Sequence, residues 1–136
     1  MSDILDLTNY NPNDIPDAEL HPAGTEVNAR ISRIAKDNDK NGTPYIMPWF
    51  EDVSNPNIDD WNDYLPLPTQ GETDKVNGKR IKRLNEFGIA FDLDLFNAEF
   101  NLDEAKGKTG WMIVKMGKGQ DGEDQNGVKS YLANQE

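Results

Sequence analysis

The sequence predicts a single, mainly β domain: a small five-stranded antiparallel barrel with one helix between strands 3 and 4. Five segments have the apolar patterning and length of strands, and only one has the apolar spacing of a helix. Parallel strands would need a helical crossover after almost every strand. The 136 residues suffice for one core. We divide them into an acidic, irregular arm, residues 1–22, and a barrel domain, residues 23–136.

The first two predicted strands flank a turn. In TEVNARISRIAK, apolar and polar residues alternate from Val27 to Ile31, which predicts a half-buried strand with Arg30 on its outer face. In TPYIMPWFEDV both faces are apolar. Pro44 and Pro48 predict that this second strand lies at an edge or contains a bulge, because proline cannot donate a hydrogen bond to a neighbouring strand.

The stretch KDNDKNGTPY between these strands begins like a calcium-binding loop, D-x-[DN]-x-[DN]-G. Counted from Asp37, the twelfth position of such a loop must be a bidentate Glu, but here it is Pro48. Pro44 would also break the exiting helix. Asn41 followed by Gly42 is a strong hairpin signal, so we expect a β-turn and no metal site.

The remaining elements complete the predicted order. WNDYLPLP (61–68) is a short third strand, and a helix is expected over 77–87, with Gly88 as its stop. AFDLDLFNAEFNLDEA fits either a strand or a short helix. Strands follow at 109–117 and 126–133. Three strands, a helix and two strands are the layout of the OB fold, a partly open barrel whose face around strands 2 and 3 binds oligonucleotides.

Charge is unevenly distributed along the chain. The net charge is −11, yet residues 1–29 hold six acidic residues and no Lys or Arg. The bases cluster instead in KVNGKRIKR (75–83) and KGKTGWMIVKMGK (106–118). Because charges act over only about 10 Å in physiological salt, an acidic protein can still present a basic groove. Charge alone favours a nucleic-acid groove and an ordinary solvated surface equally.

The sequence contains no convincing catalytic motif, and we predict neither an enzyme nor a cofactor. His21, the only histidine, lies in the polar segment LHPAG and is expected to be a solvated loop residue. The GKT at 107–109 lacks the glycine of a phosphate loop, since Leu102 occupies that position. With no cysteine, no long apolar run and no leader, the chain is expected to be cytoplasmic and to have no membrane partner.

Binding chemistry is better supplied, because single-stranded nucleic acid is held by basic side chains and by aromatic rings on which bases stack. Tyr45 and Trp49 share one face of strand 2, beside Arg30 and Arg33 of strand 1. The predicted nucleic-acid-binding residues are Arg30, Arg33, Tyr45, Trp49, Trp61, Tyr64, Lys79, Arg80, Lys82, Arg83 and Lys115.

The predicted environment differs among the three tryptophans. Trp111 lies inside an apolar strand and is expected in the core, because tryptophan is heavily buried on average. Trp49 and Trp61 lie next to turns and acidic residues. For these two, a core position and a base-stacking position are equally expected.

From AGTEVNARISRIAKDNDKNGTPYIMPWFEDV through the helix to KGKTGWMIVK and NGVKSYLA, the chain resembles the small OB-fold single-stranded DNA-binding proteins encoded by bacteriophages. In those proteins a first strand and a glycine turn lead to an aromatic second strand, and a late G-K strand is followed by an N-x-V strand. The resemblance implies sequence-tolerant DNA binding in phage replication or recombination, in the host cytoplasm. Arg30, Arg33, Tyr45, Trp49 and nearby bases would carry it.

The acidic arm departs from this family pattern. Cellular relatives end in an acidic tail that recruits partners, whereas here the acidic stretch is N-terminal. We expect the arm either to recruit replication or recombination proteins or to compete with DNA. Two other classes stay open: a virion structural or decoration protein whose arm hooks a neighbouring subunit, and an acidic mimic of DNA. A homo-oligomer is compatible with all of these readings.

Overall fold

The computed structural model describes residues 3–14 and 19–132. Within them the protein is mainly β, as predicted, with six strands in one antiparallel sheet and a single α-helix. The strands are β1 (Glu26–Asn38), β2 (Pro44–Asp52), β3 (Trp61–Asn62), β4 (Leu65–Pro66), β5 (Thr109–Lys118) and β6 (Asp124–Leu132); the helix is α1 (Asp74–Phe91), and a short 3-10 helix spans Leu102–Ala105.

The strands lie in the order β3-β2-β1-β5-β6, and β4 also pairs with β2. The predicted third strand is therefore present as two pieces, β3 and β4, which is why the sheet has six strands rather than five. Within the described residues, no hydrogen-bonded ladder joins β3 to β6. The sheet is thus not closed into the predicted barrel by its backbone.

Of the two alternatives predicted for β2, the edge position was wrong, since β2 pairs with β1 on one side and with β3 and β4 on the other. The β1–β2 ladder does contain a bulge, but its extra residue is in β1. Pro44 is its first residue. The carbonyl of Pro48 accepts a hydrogen bond from the Asp63 amide at 3.2 Å. Because the N and O atoms of one residue point to the same side of a strand, the missing N–H of Pro48 faces the interruption between β3 and β4. β2 is therefore continuous through Pro48, and the third strand is interrupted opposite it.

Helix α1 is longer than predicted at both ends. The side chain of Thr73 caps its N-terminus. Gly88 does not stop the helix, which runs on to Phe91 and ends at Asp92, a left-handed residue with φ 57°. Gly88 is instead needed for packing, because a Cβ there would lie 2.9 Å from the Leu93 carbonyl oxygen. No helix in the described ranges is long and apolar enough to cross a membrane.

The loops match the sequence in part. β1 and β2 form the predicted hairpin, with Gly42 at φ 83° and with the Asp39 carboxylate accepting hydrogen bonds from the amides of Asn41 and Thr43 at 2.8 and 2.9 Å. Only the glycine needs positive φ, so the turn is wider than a two-residue loop. The unassigned segment after α1 forms turns and the 3-10 helix, and contains no strand.

The core between the sheet and α1 is aromatic. Phe50 of β2 stacks on Phe91 of α1 with ring centroids 5.5 Å apart, and Phe87 meets Tyr131 of β6 edge-on at 5.4 Å. Trp61 is only 2% exposed. Full burial of each such ring contributes about 2–3 kcal/mol, so α1 is held on the sheet mainly by these contacts.

Arg83 joins the two ends of the sheet. Its guanidinium donates to the Asp63 carboxylate at 3.0 Å and to the carbonyls of Val128 and Lys129 at 3.0 and 3.2 Å. The Tyr131 hydroxyl donates to the same carboxylate at 2.6 Å. Burial raises the pKa of Asp63, although Tyr131 and Arg83 act in the opposite direction. Side chains therefore bridge the gap that no ladder closes.

The segment just before β1 is also fixed to the sheet. The His21 ring nitrogen lies 2.6 Å from the Asp52 carboxylate, and the His21 backbone exchanges two hydrogen bonds of 2.9 Å with the buried side chain of Asn126. Burial raises the pKa of Asp52, but its hydrogen bonds with His21 and two backbone amides outweigh burial, and the pKa is lowered. The prediction of a solvated histidine was wrong, because partners far away in sequence enclose it.

The arm is irregular where the structure describes it. Residues 3–14 form only turns and irregular structure and are exposed. Residues 1–2 and 15–18 of the predicted arm and Ala133 of the predicted last strand lie outside the described residues.

We predict that Arg83→Met lowers the free energy of unfolding by about 2–3 kcal/mol, because it leaves the largely buried Asp63 carboxylate with one partner fewer. Urea denaturation followed by circular dichroism measures this change. Lys82→Met removes the same charge from an exposed neighbour on α1 and should change stability by less than about 0.5 kcal/mol. Equal effects of the two substitutions would contradict the bridging role.

Candidate nucleic-acid interface

A bulge in β1 places two arginines on the same face of the sheet. Side chains alternate along a strand, so residues three apart normally point to opposite faces. The register between β1 and β2 shifts between Ile31 and Arg33, which adds one residue to β1. Arg30 is paired with Glu51, and Arg33 with Trp49. Both arginines therefore lie on the side of the sheet away from the core, which we call the outer face.

The outer face carries two stacked pairs of side chains. The guanidinium carbon of Arg33 lies 4.5 Å from the centroid of the Trp49 ring. The rings of Tyr45 and Tyr64 have centroids 4.9 Å apart. Tyr64, between β3 and β4, is 43% exposed, and its hydroxyl donates to the Asp39 carboxylate at 2.9 Å. Flat aromatic and guanidinium groups thus lie side by side along β2.

Acidic groups adjoin these pairs. Arg30 forms an ion pair with Glu51 at 3.2 Å, with both side chains about 40% exposed. Burial raises the pKa of Asp60, the charges of Glu51 and Asp59 raise it further, and Arg33 lowers it. The outer face is therefore of mixed charge and is not a uniformly basic groove.

The basic cluster of α1 is divided between two roles. Lys79 and Lys82 are exposed to solvent. Arg80 donates to the Leu67 carbonyl at 3.1 Å, and its charge acts on Asp39. The guanidinium of Arg83 is hydrogen-bonded to Asp63 and to two carbonyls of β6. Of the four predicted contacts on α1, two are thus engaged in holding the fold.

Lys115 lies apart from α1, beside Tyr64. Both line a polar cleft of about 280 Å³ between the β3–β4 segment and the hairpin of β5 and β6, together with Lys118. Lys118 itself is paired with Asp124. The cleft extends from Tyr64, a member of the Tyr45–Tyr64 pair, to the exposed side chain of Lys115.

The three tryptophans occupy different environments. Trp49 is half-buried on the outer face. Trp61 packs against Phe50 and points its N–H at the sulfur of Met112, 3.3 Å away. It is therefore a core residue and not part of the outer face. Trp111 is 40% exposed, and the prediction that it lies in the core was wrong.

Trp111 is exposed because its neighbours on β5 fix the inward positions. A Cβ at Gly110 would lie 2.5 Å from the Ala90 carbonyl oxygen, so α1 packs directly over that glycine. Met112 is fully buried, and Trp111 between them points outward, opposite Asn28 of β1. Burial alternates from Gly110 to Val114, but residues 111–114 form one continuous apolar run, so the sequence carried no signal for this exposed aromatic residue.

The outer face therefore brings together five of the predicted residues, and Trp111 extends it onto β5. Within the described part of the chain, no group of three or more His, Cys, Asp or Glu side chains is arranged to hold a metal ion. The residues collected on the outer face are Arg30, Arg33, Tyr45, Trp49, Tyr64 and Trp111.

No protein-family model matches the chain, and no curated protein matches it.

Quenching of tryptophan fluorescence by iodide tests this assignment of environments. We expect Trp61→Phe to remove the fraction of emission that iodide does not reach, and Trp111→Phe to remove the most accessible fraction, because the two rings differ in exposure. Circular dichroism of both variants serves as the folding control. An unchanged accessible fraction in Trp111→Phe would contradict the position of β5.

Proposed function

We propose that the chain is a non-enzymatic single-stranded DNA-binding protein whose outer face stacks bases and contacts phosphates. The observation that carries this proposal is the Arg33–Trp49 stack beside the Tyr45–Tyr64 pair on adjoining strands. Stacking tolerates every base because each has a π-face, and each stacked base contributes about 1–3 kcal/mol. We expect binding that is tolerant of sequence.

The fold supports the same proposal. If β3 and β4 are counted as one interrupted strand, the described residues form five strands with a helix between the third and fourth. We propose that this is an OB-type barrel in its partly open form, with Arg83 in place of the closing ladder. In that fold the surface around strands 2 and 3 and the adjoining loops bind oligonucleotides. Tyr45, Trp49 and Tyr64 lie on that surface.

The proposed mechanism has two parts. A base takes the place of the Arg33 guanidinium on the Trp49 ring, and the freed guanidinium meets a phosphate, so one stack is exchanged for another at little cost. A second base stacks on the exposed ring of Tyr64. Arg30 and Lys115 contact phosphates on either side, and each phosphate contact releases counterions.

The acidic groups of the face favour single strands over duplex. Glu51 and Asp60 lie next to the two arginines and oppose a dense array of phosphates. Duplex DNA carries more charge per length and hides its base faces, so it gains no stacking and meets more repulsion. A single strand offers the bases and a lower charge density.

Titration of the intrinsic fluorescence with oligothymidine tests the proposal. We expect quenching by the single strand, a much smaller response to duplex, and a log–log salt slope of about −2 for three phosphate contacts. Fluorescence anisotropy of a labelled oligonucleotide gives the same affinity independently. Absence of binding at low salt would contradict the proposal and would favour a structural protein or a DNA mimic.

Substitutions on the face should weaken binding selectively. Trp49→Ala and Arg33→Ala are each expected to lower the affinity about tenfold, because each removes a stacking partner or a phosphate contact. Lys129→Ala removes one exposed positive charge from β6, two strands away from β1, and is the matched control. Equal losses in Arg33→Ala and Lys129→Ala would show that binding depends on net charge rather than on this face.

Asp60→Asn should raise the affinity for the single strand about twofold to fivefold at pH 7, because it removes a negative charge beside Arg33. The pKa of Asp60 is raised, so the wild-type carboxylate gains a proton as the pH falls through that pKa. The difference between the two proteins should then disappear at low pH. An unchanged difference across the titration would exclude Asp60 as its source.

A further inference from the structure

We infer that the chain self-associates by placing the arm segment Ile4–Tyr10 of one copy in an apolar groove of a second copy. This inference concerns a different surface from the outer face and does not depend on DNA binding.

The arm carries large apolar side chains with nothing packed against them. Ile4, Leu5 and Tyr10 are 75–85% exposed, and Leu7 is 58% exposed. The hydrogen bonds of this segment are local turns, such as the Tyr10 amide to the Leu7 carbonyl at 3.0 Å. Four such side chains within seven residues leave a substantial apolar surface in water, which is the usual mark of a docking segment.

The groove has a volume of about 390 Å³ and lies between the sheet and the loop that follows α1. Its walls are apolar: Ile46 of β2, Leu84 of α1, and the loop residues Leu95, Phe96 and Phe100. Phe96 is 58% exposed. The groove is therefore a concave apolar surface of the size that accepts a few aliphatic or aromatic side chains.

Charge complements this apolar match. Lys36 is the one charged side chain among the described residues that line the groove, and Arg80 is bonded to the Leu67 carbonyl at its end. The arm carries Asp3 and Asp6, and no Lys or Arg precedes Arg30 in the sequence. Opposite charges would place the arm's carboxylates toward Lys36 and away from the acidic loop that forms the other wall.

Within the described residues of one copy, the arm and the groove are both unoccupied, because no residue of 3–14 lines the groove. The arm emerges from Glu19, which is bonded to the β2–β3 loop through Asp59 and bridges to Ile58, beyond the end of β2 at Asp52. The groove lies at the other end of β2, near Ile46, about 20 Å away at the rise of a strand. One molecule thus anchors its arm beyond one end of β2 and has its open groove at the other end. Mutual exchange of arms between two copies fills both.

Sedimentation equilibrium of the full chain tests this inference. We expect a dimer with a dissociation constant of about 0.1 mM, in keeping with a small interface. The double substitution Leu5→Ser with Leu7→Ser, and separately Phe96→Ser or Lys36→Glu, should each weaken association at least tenfold. Ile89→Ser replaces an exposed apolar residue of α1 that does not line the groove, and should leave association unchanged.

Mixing the variants distinguishes exchange between copies from folding-back of the arm. A chain with a substituted arm and a chain with a substituted groove should associate more tightly when mixed than either does alone, because only the mixture retains an intact arm–groove contact. The mixture should pair more weakly than the wild-type chain, because it retains one of the two contacts. A monomeric wild-type chain, association unaffected by these substitutions, or a mixture that associates no more tightly than the separate variants would each overturn the inference.

Discussion

The two ends of the sheet are held together by the carboxylate of Asp63, and the rest of the structure depends on this contact. β3 and β4 contain two residues each, so few ladder hydrogen bonds fix the third strand. Arg83 and Tyr131 bind Asp63 from α1 and β6 and supply the missing closure. Tyr64 is the next residue, and its position beside Tyr45 follows from where Asp63 is held. A contact inside the molecule thereby fixes part of the outer face.

The sequence predicts local structure well and distant partners poorly. Alternation, helical spacing and Asn41-Gly42 are local signals, and they located β1, β2, α1, β5, β6 and the hairpin. Pro48 led to a wrong prediction because its missing N–H prevents pairing only at that one position. The third strand is interrupted there, so β2 still pairs with it on either side of the proline. His21 misled because Asp52 and Asn126 lie 31 and 105 residues away from it. Gly88 misled because close packing, not helix termination, requires a glycine there.

The same distinction applies to the candidate interface. Alternation along β2 predicted that Tyr45 and Trp49 share a face, and the pairing with β1 adds Arg33 to it. The bulge that brings Arg33 to the same face as Arg30 has no sequence signal of its own. Composition could not separate the bases that hold the fold from those that reach solvent, because Arg80 and Arg83 differ from Lys79 and Lys82 only in their tertiary partners. The net charge of −11 similarly hides two arginines grouped with aromatic rings.

The central claim is that unpaired bases contact the outer face at β2. Photo-crosslinking of a single strand containing 5-bromodeoxyuridine, followed by mass spectrometry of the crosslinked peptides, tests it most directly. We expect crosslinks at Tyr45, Trp49 or Tyr64, with fewer at Trp111, because Trp111 lies at the margin of the face. Crosslinks confined to residues away from the outer face, or none under conditions where the oligonucleotide binds, would contradict it.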